Sequence, residues 1–98
     1  MEINALLMDP ADNVVTCVAD VSAGGIVCYR VDNEIRTLTA EEAIPYCHKI
    51  ALEDIGEGAD VVKYGESLGH ATKLIRKGHW VSQNNLVSIP RDYDSEMI

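Results

Sequence analysis

Val21-Ser22-Ala23-Gly24-Gly25-Ile26-Val27 is the stretch that decides the fold, because its pattern occurs twice more in the chain. The other copies are Ile55-Gly56-Glu57-Gly58-Ala59-Asp60-Val61 and Ile75-Arg76-Lys77-Gly78-His79-Trp80-Val81. A small residue stands four positions before each leading aliphatic residue, namely Cys17, Ala51 and Ala71. We interpret each copy as a strand that ends at the small residue, a one-turn helix that buries an aliphatic side chain, and a glycine with positive φ. The repetition predicts a compact β protein with repeated corners.

Short apolar and β-branched runs between these corners predict strands. They cover residues 3–8, 14–18, 26–31, 34–39, 49–52, 61–64, 71–74 and 80–81, with turns at 64–65 and 68–69. The pair Asp32-Asn33 tolerates positive φ and predicts a tight hairpin. Thr39, followed by two glutamates, predicts a short helix that Pro45 stops. We expect a mainly β fold for residues 1–88 and an acidic tail or linker stub for residues 89–98.

Composition excludes several classes of protein. A chain of 98 residues is sufficient for one domain with a single core. The formal net charge of −8 argues against nucleic-acid binding, which needs an excess of clustered Lys and Arg. No apolar stretch approaches the roughly 20 residues of a membrane span, and the first residues lack the features of a secretory signal, so we expect a cytoplasmic protein.

The cysteines and the basic residues give weak signals. Three cysteines without C-x-x-C spacing predict neither a disulfide framework nor a zinc ribbon. Cys47 and His48 are adjacent, which suggests a thiol nucleophile with an imidazole base. Adjacent residues in a strand face opposite sides, however, and this disfavours proton transfer between them. Half of all Lys and Arg lie between residues 63 and 77, where they form either a small-anion site or, more commonly, a solvated face.

A resemblance is carried by the run from His48 to Ile55, by Val61-Val62-Lys63-Tyr64-Gly65 and by Asn85-Leu86, with glycines at 58, 69 and 78. It resembles the N-terminal SAF (β-clip) domain of the altronate and galactarate dehydratases, and is similar to the small subunit of sulfolactate sulfo-lyase. The likeness covers residues 3–87 and implies a β-clip fold. A motif spread over some forty positions is far more specific than an isolated glycine motif.

The resemblance implies hydro-lyase chemistry, in which a six-carbon sugar acid such as altronate or galactarate loses water to give a 2-keto-3-deoxy acid. It implies a divalent metal, often iron, in the larger catalytic part and no cofactor in this chain. Because the chain matches the small part alone, we expect it to cover or complete the active site of a separate large subunit and to be inactive by itself. A homo-oligomer is left open. The alternative is a free-standing carbohydrate-binding or assembly β-clip module.

The matching motif implies substrate-binding roles for His48, Lys49, Lys63, Tyr64 and Asn85. His48 can donate to a sugar-acid hydroxyl or bind a metal, or serve structurally by bonding a carbonyl group. Lys63 can hold a carboxylate while Tyr64 lends its hydroxyl, or the two can form a turn with an exposed ammonium group.

One departure from the family concerns three alternate positions that usually carry histidine, because here they are Trp80, Ser82 and Asn84. His79 is one position away from that set and is expected to face the other side of the strand. A less favoured hypothesis is a metal site made from His48, His70 and His79. Asp20 and Asp54 are expected to cap their own one-turn helices.

Overall fold

The computed structural model describes residues 2–88, and within them the regular structure consists entirely of β-strands. These are β1 (Ala5–Leu6), β2 (Val14–Cys17), β3 (Ile26–Val31), β4 (Glu34–Thr39), β5 (Lys49–Ala51), β6 (Asp60–Lys63), β7 (Glu66–Ala71), β8 (Trp80–Val81) and β9 (Leu86–Ser88). The prediction of a mainly β fold is confirmed. The expected tail at 89–98 lies outside the described residues. Nothing in residues 2–88 forms a helix with the length and apolar character that crossing a membrane requires.

The strands form three antiparallel sheets. One has four strands in the order β1-β2-β5-β8, a second is the β3–β4 hairpin, and the third has the order β6-β7-β9. The predicted hairpin at Asp32-Asn33 is confirmed, since Val31 pairs with Glu34 and Asp32 has a φ of 53°.

Two predictions in the second half of the chain are wrong. A strand was expected at residues 71–74, but the observed strand is β7, which ends at Ala71. Strand β7 begins early, at Glu66, because Tyr64 and Gly65 take positive φ and reverse the chain there. The break expected at 68–69 is a bulge inside β7, where the register with β6 shifts between Val61 and Val62. Strand β9 was not predicted.

The chain has four corners of the repeated type within residues 2–88, not three. Corners 1, 3 and 4 (residues 21–27, 55–61 and 75–81) are the three sequence copies, and corner 2 spans residues 44–50. In corner 2 Cys47 stands where the other corners have glycine, with a φ of 68°, and Ala40 is the preceding small residue. The helix expected after Thr39 is therefore wrong, because this segment leads into corner 2.

The corners associate in two pairs through reciprocal backbone hydrogen bonds. Val21 and Ile44 join corners 1 and 2 at 2.9 and 2.8 Å, and Ile55 and Ile75 join corners 3 and 4 at 2.7 and 2.8 Å. Each corner is closed by one tight turn, such as Ala59 N to Gly56 O at 2.9 Å. The one-turn helices expected there are absent from the described residues.

A second set of hydrogen bonds links the positive-φ residue of each corner to the small residue preceding its partner. These bonds run from the amides of Gly24, Cys47, Gly58 and Gly78 to the carbonyls of Ala40, Cys17, Ala71 and Ala51 at 2.7–2.9 Å. The small residues are buried because the partner corner lies directly on them.

Asp20 and Asp54 cap across the pair and not locally, which corrects the expectation from sequence. Asp20 accepts a hydrogen bond from the amide of Tyr46, and Asp54 from the amide of Lys77, both at 2.8 Å. Each carboxylate therefore satisfies a donor in the turn of the partner corner, where it fixes the approach of the two turns.

Each corner pair has its own apolar core. Corners 1 and 2 surround a cluster with Val15 and Ile50, and corners 3 and 4 surround a cluster with Val14 and Val61. Successive residues of β2 point to opposite faces, so the four-stranded sheet separates the two clusters. The sheet joins the two pairs and places corner 2 beside corner 4, because the strands that follow them, β5 and β8, are neighbours.

Candidate functional site

The candidate site lies where β5 and β8 pair, immediately after corners 2 and 4. Lys49 pairs with Val81 and Ile50 with Trp80. His48 and His79 occupy the same position in their corners, one residue after the positive-φ residue. Because β5 and β8 are neighbours in one sheet, the two histidines flank the same short edge strand.

Two clefts open on this edge. The His48 cleft has a volume of about 370 Å³ and is lined by His48, Lys49 and the 80–84 segment. The His79 cleft has a volume of about 440 Å³ and includes Glu42, Lys73, Arg76 and His79 in its lining. Trp80, Ser82 and Asn84 line both clefts. These three side chains therefore form the boundary between the clefts.

His48 is exposed and is oriented by Trp80. The indole Nε1 donates a hydrogen bond to His48 Nδ1 at 3.1 Å, and the rings meet edge to face with centroids 5.2 Å apart. Trp80 is itself anchored by packing on the core of corners 1 and 2. A half-buried tryptophan therefore holds an otherwise free imidazole at the mouth of the cleft.

His79 is held by a carboxylate. Its Nδ1 lies 2.9 Å from Glu42 Oε2, and the same oxygen accepts a hydrogen bond from the Trp80 amide at 3.1 Å. The bond to His79 is the main cause that lowers the pKa of Glu42, burial opposes it, and the Trp80 amide and Lys73 act in the same direction as His79. His79 lines the His79 cleft together with Trp80 but not the His48 cleft, so its expected orientation toward the other side of the strand stays a prediction.

Asn85 holds the segment that follows β8. Its side chain donates to the Trp80 carbonyl at 2.8 Å and accepts from the Ser82 amide at 2.9 Å. Its backbone accepts from the Thr72 amide at 2.9 Å. Asn85 lines the His79 cleft, but both ends of its amide are committed to the chain, so its predicted contact with substrate stays a prediction.

Lys49 points into the His48 cleft from a half-buried position. Burial lowers the pKa of Lys49, and the charge of Lys63 lowers it further. Among residues 2–88 neither lysine forms an ion pair. Lys49 is thus partly desolvated and has no counter-charge among residues 2–88, which makes the His48 cleft a favourable environment for an anion.

Lys63 and Tyr64 lie elsewhere, at the β6–β7 turn, and line neither cleft. The Lys63 ammonium lies 5.4 Å from the centroid of the exposed Tyr64 ring. The structure thus groups three of the five predicted residues, His48, Lys49 and Asn85, around the 80–85 segment. Substrate binding by all five remains a prediction.

Charge is distributed unevenly between the clefts and the rest of the molecule. Among residues 2–88, Lys49, Lys73 and Arg76 line the clefts, whereas Glu42 is the single lining carboxylate. Glu42 is already engaged by His79. The edge is therefore locally cationic on an acidic chain and favours a small carboxylate ligand.

The described residues do not form a metal site. No group of three or more His, Cys, Asp or Glu side chains between residues 2 and 88 is arranged to hold an ion. The hypothesis that His48, His70 and His79 share a metal is wrong for this part of the chain, because His48 contacts Trp80, His79 contacts Glu42, and His70 lies on β7.

Sequence reasoning missed Glu42, and it gave His79 no place in the favoured site. The signal that would have found them is corner 2, whose pattern Ala40-x3-Ile44-x2-Cys47-x2-Ile50 matches the other corners except for cysteine in place of glycine and isoleucine in place of the last valine. Recognition of that copy places His48 and His79 in equivalent positions. It also corrects the expected helix after Thr39, to which Glu42 had been assigned.

Comparison with known proteins gives a family match over nearly the whole chain. The model of the altronate/galactarate dehydratase SAF domain matches residues 3–89. The chain is 39% identical to altronate dehydratase of Escherichia coli K12 over 83 residues, 85% of this chain but 16% of that protein. It is 36% identical to the alpha subunit of (2R)-sulfolactate sulfo-lyase of Chromohalobacter salexigens over 89 residues, 88% of this chain and 95% of that subunit.

A third relative is galactarate dehydratase (L-threo-forming) of E. coli K12, 39% identical over 46 residues, which are 47% of this chain and 9% of that protein. The chain thus spans a small fraction of the dehydratases and nearly the full length of the sulfo-lyase subunit. With the all-β corners and the family match over residues 3–89, the chain belongs to the SAF domain family of altronate and galactarate dehydratases.

Proposed function

We propose that this chain is the small subunit of a sugar-acid dehydratase and completes the active site of a separate catalytic subunit. The observation that carries the proposal is the cationic edge with two histidine clefts in a domain of this family. A polyhydroxy carboxylate suits that edge, since lysine and arginine attract the carboxylate and imidazoles bond the hydroxyls.

The division into subunits is supported by the sulfo-lyase relative. That protein is named as an alpha subunit, and the match covers 95% of it. A domain with clefts of about 370 and 440 Å³ that are open to solvent does not enclose a substrate by itself. A second protein surface over the β5–β8 edge would exclude water from the bound acid.

The chemistry of dehydration needs a base for the proton α to the carboxylate and a group that stabilises the resulting enediolate. We assign the divalent metal of such an enzyme to the partner subunit, since residues 2–88 offer no fitting ligand set. The role of this chain is to bind and orient the acid. His48 and Lys49 are its principal contacts, and Trp80 fixes the His48 ring.

Coexpression with a large catalytic subunit of an altronate or galactarate dehydratase tests the proposal. The purified complex is expected to convert altronate or galactarate to a 2-keto-3-deoxy acid, and neither subunit alone to do so. A large subunit that is fully active without this chain would refute the proposal. Turnover of sulfolactate in place of the sugar acids would overturn the dehydratase assignment and keep the subunit role.

A matched pair of histidine variants localises the effect. His48→Ala is expected to lower kcat/KM of the complex by roughly tenfold or more, the effect of losing a hydrogen bond to a charged ligand. His70→Ala is the control, because His70 is exposed on β7 and lines neither cleft. Equal effects of the two substitutions would remove the β5–β8 edge from the site. Sugar-acid binding by this chain with no influence on any lyase would favour the free-standing binding module.

A further inference from the structure

His48 and His79 occupy equivalent corner positions but meet opposite kinds of partner. An indole nitrogen only donates, so the 3.1 Å bond from Trp80 Nε1 requires a lone pair on His48 Nδ1. The hydrogen of the neutral His48 ring must then lie on Nε2. Among residues 2–88 this Nε2 has no hydrogen-bond partner, which leaves it available to the His48 cleft as a donor.

At His79 the same reasoning gives the reverse result. An ionised carboxylate only accepts, so the 2.9 Å contact with Glu42 Oε2 requires a hydrogen on His79 Nδ1. The Trp80 amide donates to the same oxygen, which fixes the carboxylate as an acceptor. The neutral His79 ring therefore carries its lone pair on Nε2, and His79 is one of the residues that line the His79 cleft.

We propose that Trp80 and Glu42 are positioning residues that hold His48 and His79 in opposite tautomers, so that Nε2–H of His48 donates to a ligand and Nε2 of His79 accepts from one. The hydrogen bond at one ring nitrogen sets which nitrogen carries the proton, and the ligand meets the other. The edge thus presents one donor and one acceptor, each at a fixed place beside Trp80.

The ligand class that uses both groups is a polyhydroxy acid. Its hydroxyls can donate to His79 Nε2, and its carboxylate or hydroxyl oxygens can accept from His48 Nε2–H. Lys73 and Arg76 line the cleft of His79, and Lys49 lines that of His48, so each imidazole has a cation close by for a carboxylate. This ligand assignment rests on the proposed function, whereas the tautomers are a property of the chain itself.

Long-range ¹H–¹⁵N NMR of the full chain with labelled histidine measures the tautomers directly, in alkaline buffer where free imidazole is neutral. The expected result is a proton on Nε2 of His48 and on Nδ1 of His79. The same tautomer at both rings, or the reverse pair, would overturn the proposal.

Variants of the two positioning residues identify the cause. Glu42→Ala is expected to release His79 into a mixture of tautomers, and Glu42→Gln to retain Nδ1–H because its carbonyl oxygen still accepts. Glu41→Ala, a change at the exposed neighbour, is the control and is expected to leave both rings unchanged. Trp80→Phe, which removes the indole donor, is expected to alter His48 alone. An unchanged His79 in Glu42→Ala would overturn the role of Glu42.

Titration of the chain with galactarate and with adipate tests the ligand class. Adipate has the same six-carbon dicarboxylate skeleton and no hydroxyls. Galactarate is expected to bind roughly two- to tenfold more tightly, the range for one neutral hydrogen bond. Glu42→Ala is expected to remove most of that preference without weakening adipate. Equal binding of the two acids to the unaltered chain would refute hydroxyl recognition, even if the large subunit still required this chain for activity.

Discussion

Corners 1 and 2 and corners 3 and 4 are two versions of one hydrogen-bonded pair, yet only corners 2 and 4 bring side chains to the candidate site. The reason is the strand that follows each corner. Corners 2 and 4 lead into β5 and β8, which are neighbours in the four-stranded sheet, whereas corners 1 and 3 lead into β3 and β6 in two other sheets. Equivalent corners thus differ in what they contribute to the candidate site because of strand order.

The two corners of the second pair, corners 3 and 4, also differ in how closely another part of the chain approaches the positive-φ residue. At Gly78, which has a φ of +87°, a Cβ would lie 2.6 Å from the Thr39 carbonyl oxygen and 2.9 Å from Glu41 Cγ. At Gly58, with a φ of +82°, a Cβ would meet nothing within 4 Å. Corner 4 is therefore wedged against the chain that enters corner 2, while corner 3 is open to solvent at the same place.

Gly78→Ala and Gly58→Ala give the largest expected contrast. Gly78→Ala is expected to lower the free energy of unfolding by roughly 2–4 kcal/mol, because a positive-φ alanine and a backbone clash act together. Gly58→Ala bears the backbone cost alone, about 1 kcal/mol. Urea unfolding of both variants, followed by circular dichroism, measures the difference. Equal losses would mean that corner 4 can move away from Thr39 and that the two pairs are not rigidly joined.

Asp20 and Asp54 each link the two corners of one pair. Their removal is expected to have a smaller effect on the free energy of unfolding, equal in the two pairs. Asp20→Ala and Asp54→Ala each remove one acceptor from an amide in the partner corner, at a cost of about 1 kcal/mol. Asn at either position keeps an oxygen acceptor and is expected to recover part of the loss. The amide shifts of Tyr46 and Lys77 report each cap separately. A shift confined to the residues following each Asp would support local capping and contradict the pairing.

The sequence allowed the repeated corners, the Asp32-Asn33 hairpin and the β class to be predicted, because glycine spacing and turn residues are local signals. Corner 2 was not predicted, because Cys47 adopts positive φ without being glycine, and because Pro45 nearby was interpreted as the end of a helix and not as part of a turn. Its neighbours supply the constraint: the Cys17 carbonyl accepts the Cys47 amide at 2.9 Å, a contact thirty positions away in sequence. Local propensity does not carry that information.

The candidate site was predictable to a similar degree. His48 and Lys49 were found from the motif, and their place in a cleft follows from β5 being a short strand beside an edge. The Glu42–His79 contact joins residues 37 positions apart. It depends on corner 2 lying next to corner 4, which only the order of strands in the sheet determines.

Lys49 and Trp80 stand at the same position in corners 2 and 4. Replacing the charged Lys49 by an apolar residue is expected to have the smallest effect on the free energy of unfolding. Burial and the charge of Lys63 lower the pKa of Lys49 in the folded chain, so the folded state disfavours the ammonium form relative to the unfolded state. Lys49→Met is therefore expected to raise the free energy of unfolding at neutral pH by a few tenths of a kcal/mol. Lys77→Met, at an exposed position outside both clefts, is the control and is expected to change little.

The pH dependence gives this last prediction a definite sign. Between the lowered folded-state pKa of Lys49 and the ordinary lysine value of about 10.4, the unfolded chain binds more protons, so its stability rises with pH. The advantage of Lys49→Met is present below that window and shrinks as pH rises through it. Chemical unfolding at neutral pH and at increasing alkaline pH measures the gap between the two proteins. A gap that stays constant would mean that Lys49 reaches solvent freely, and that corner 2 presents a hydrated lysine where corner 4 presents a packed tryptophan.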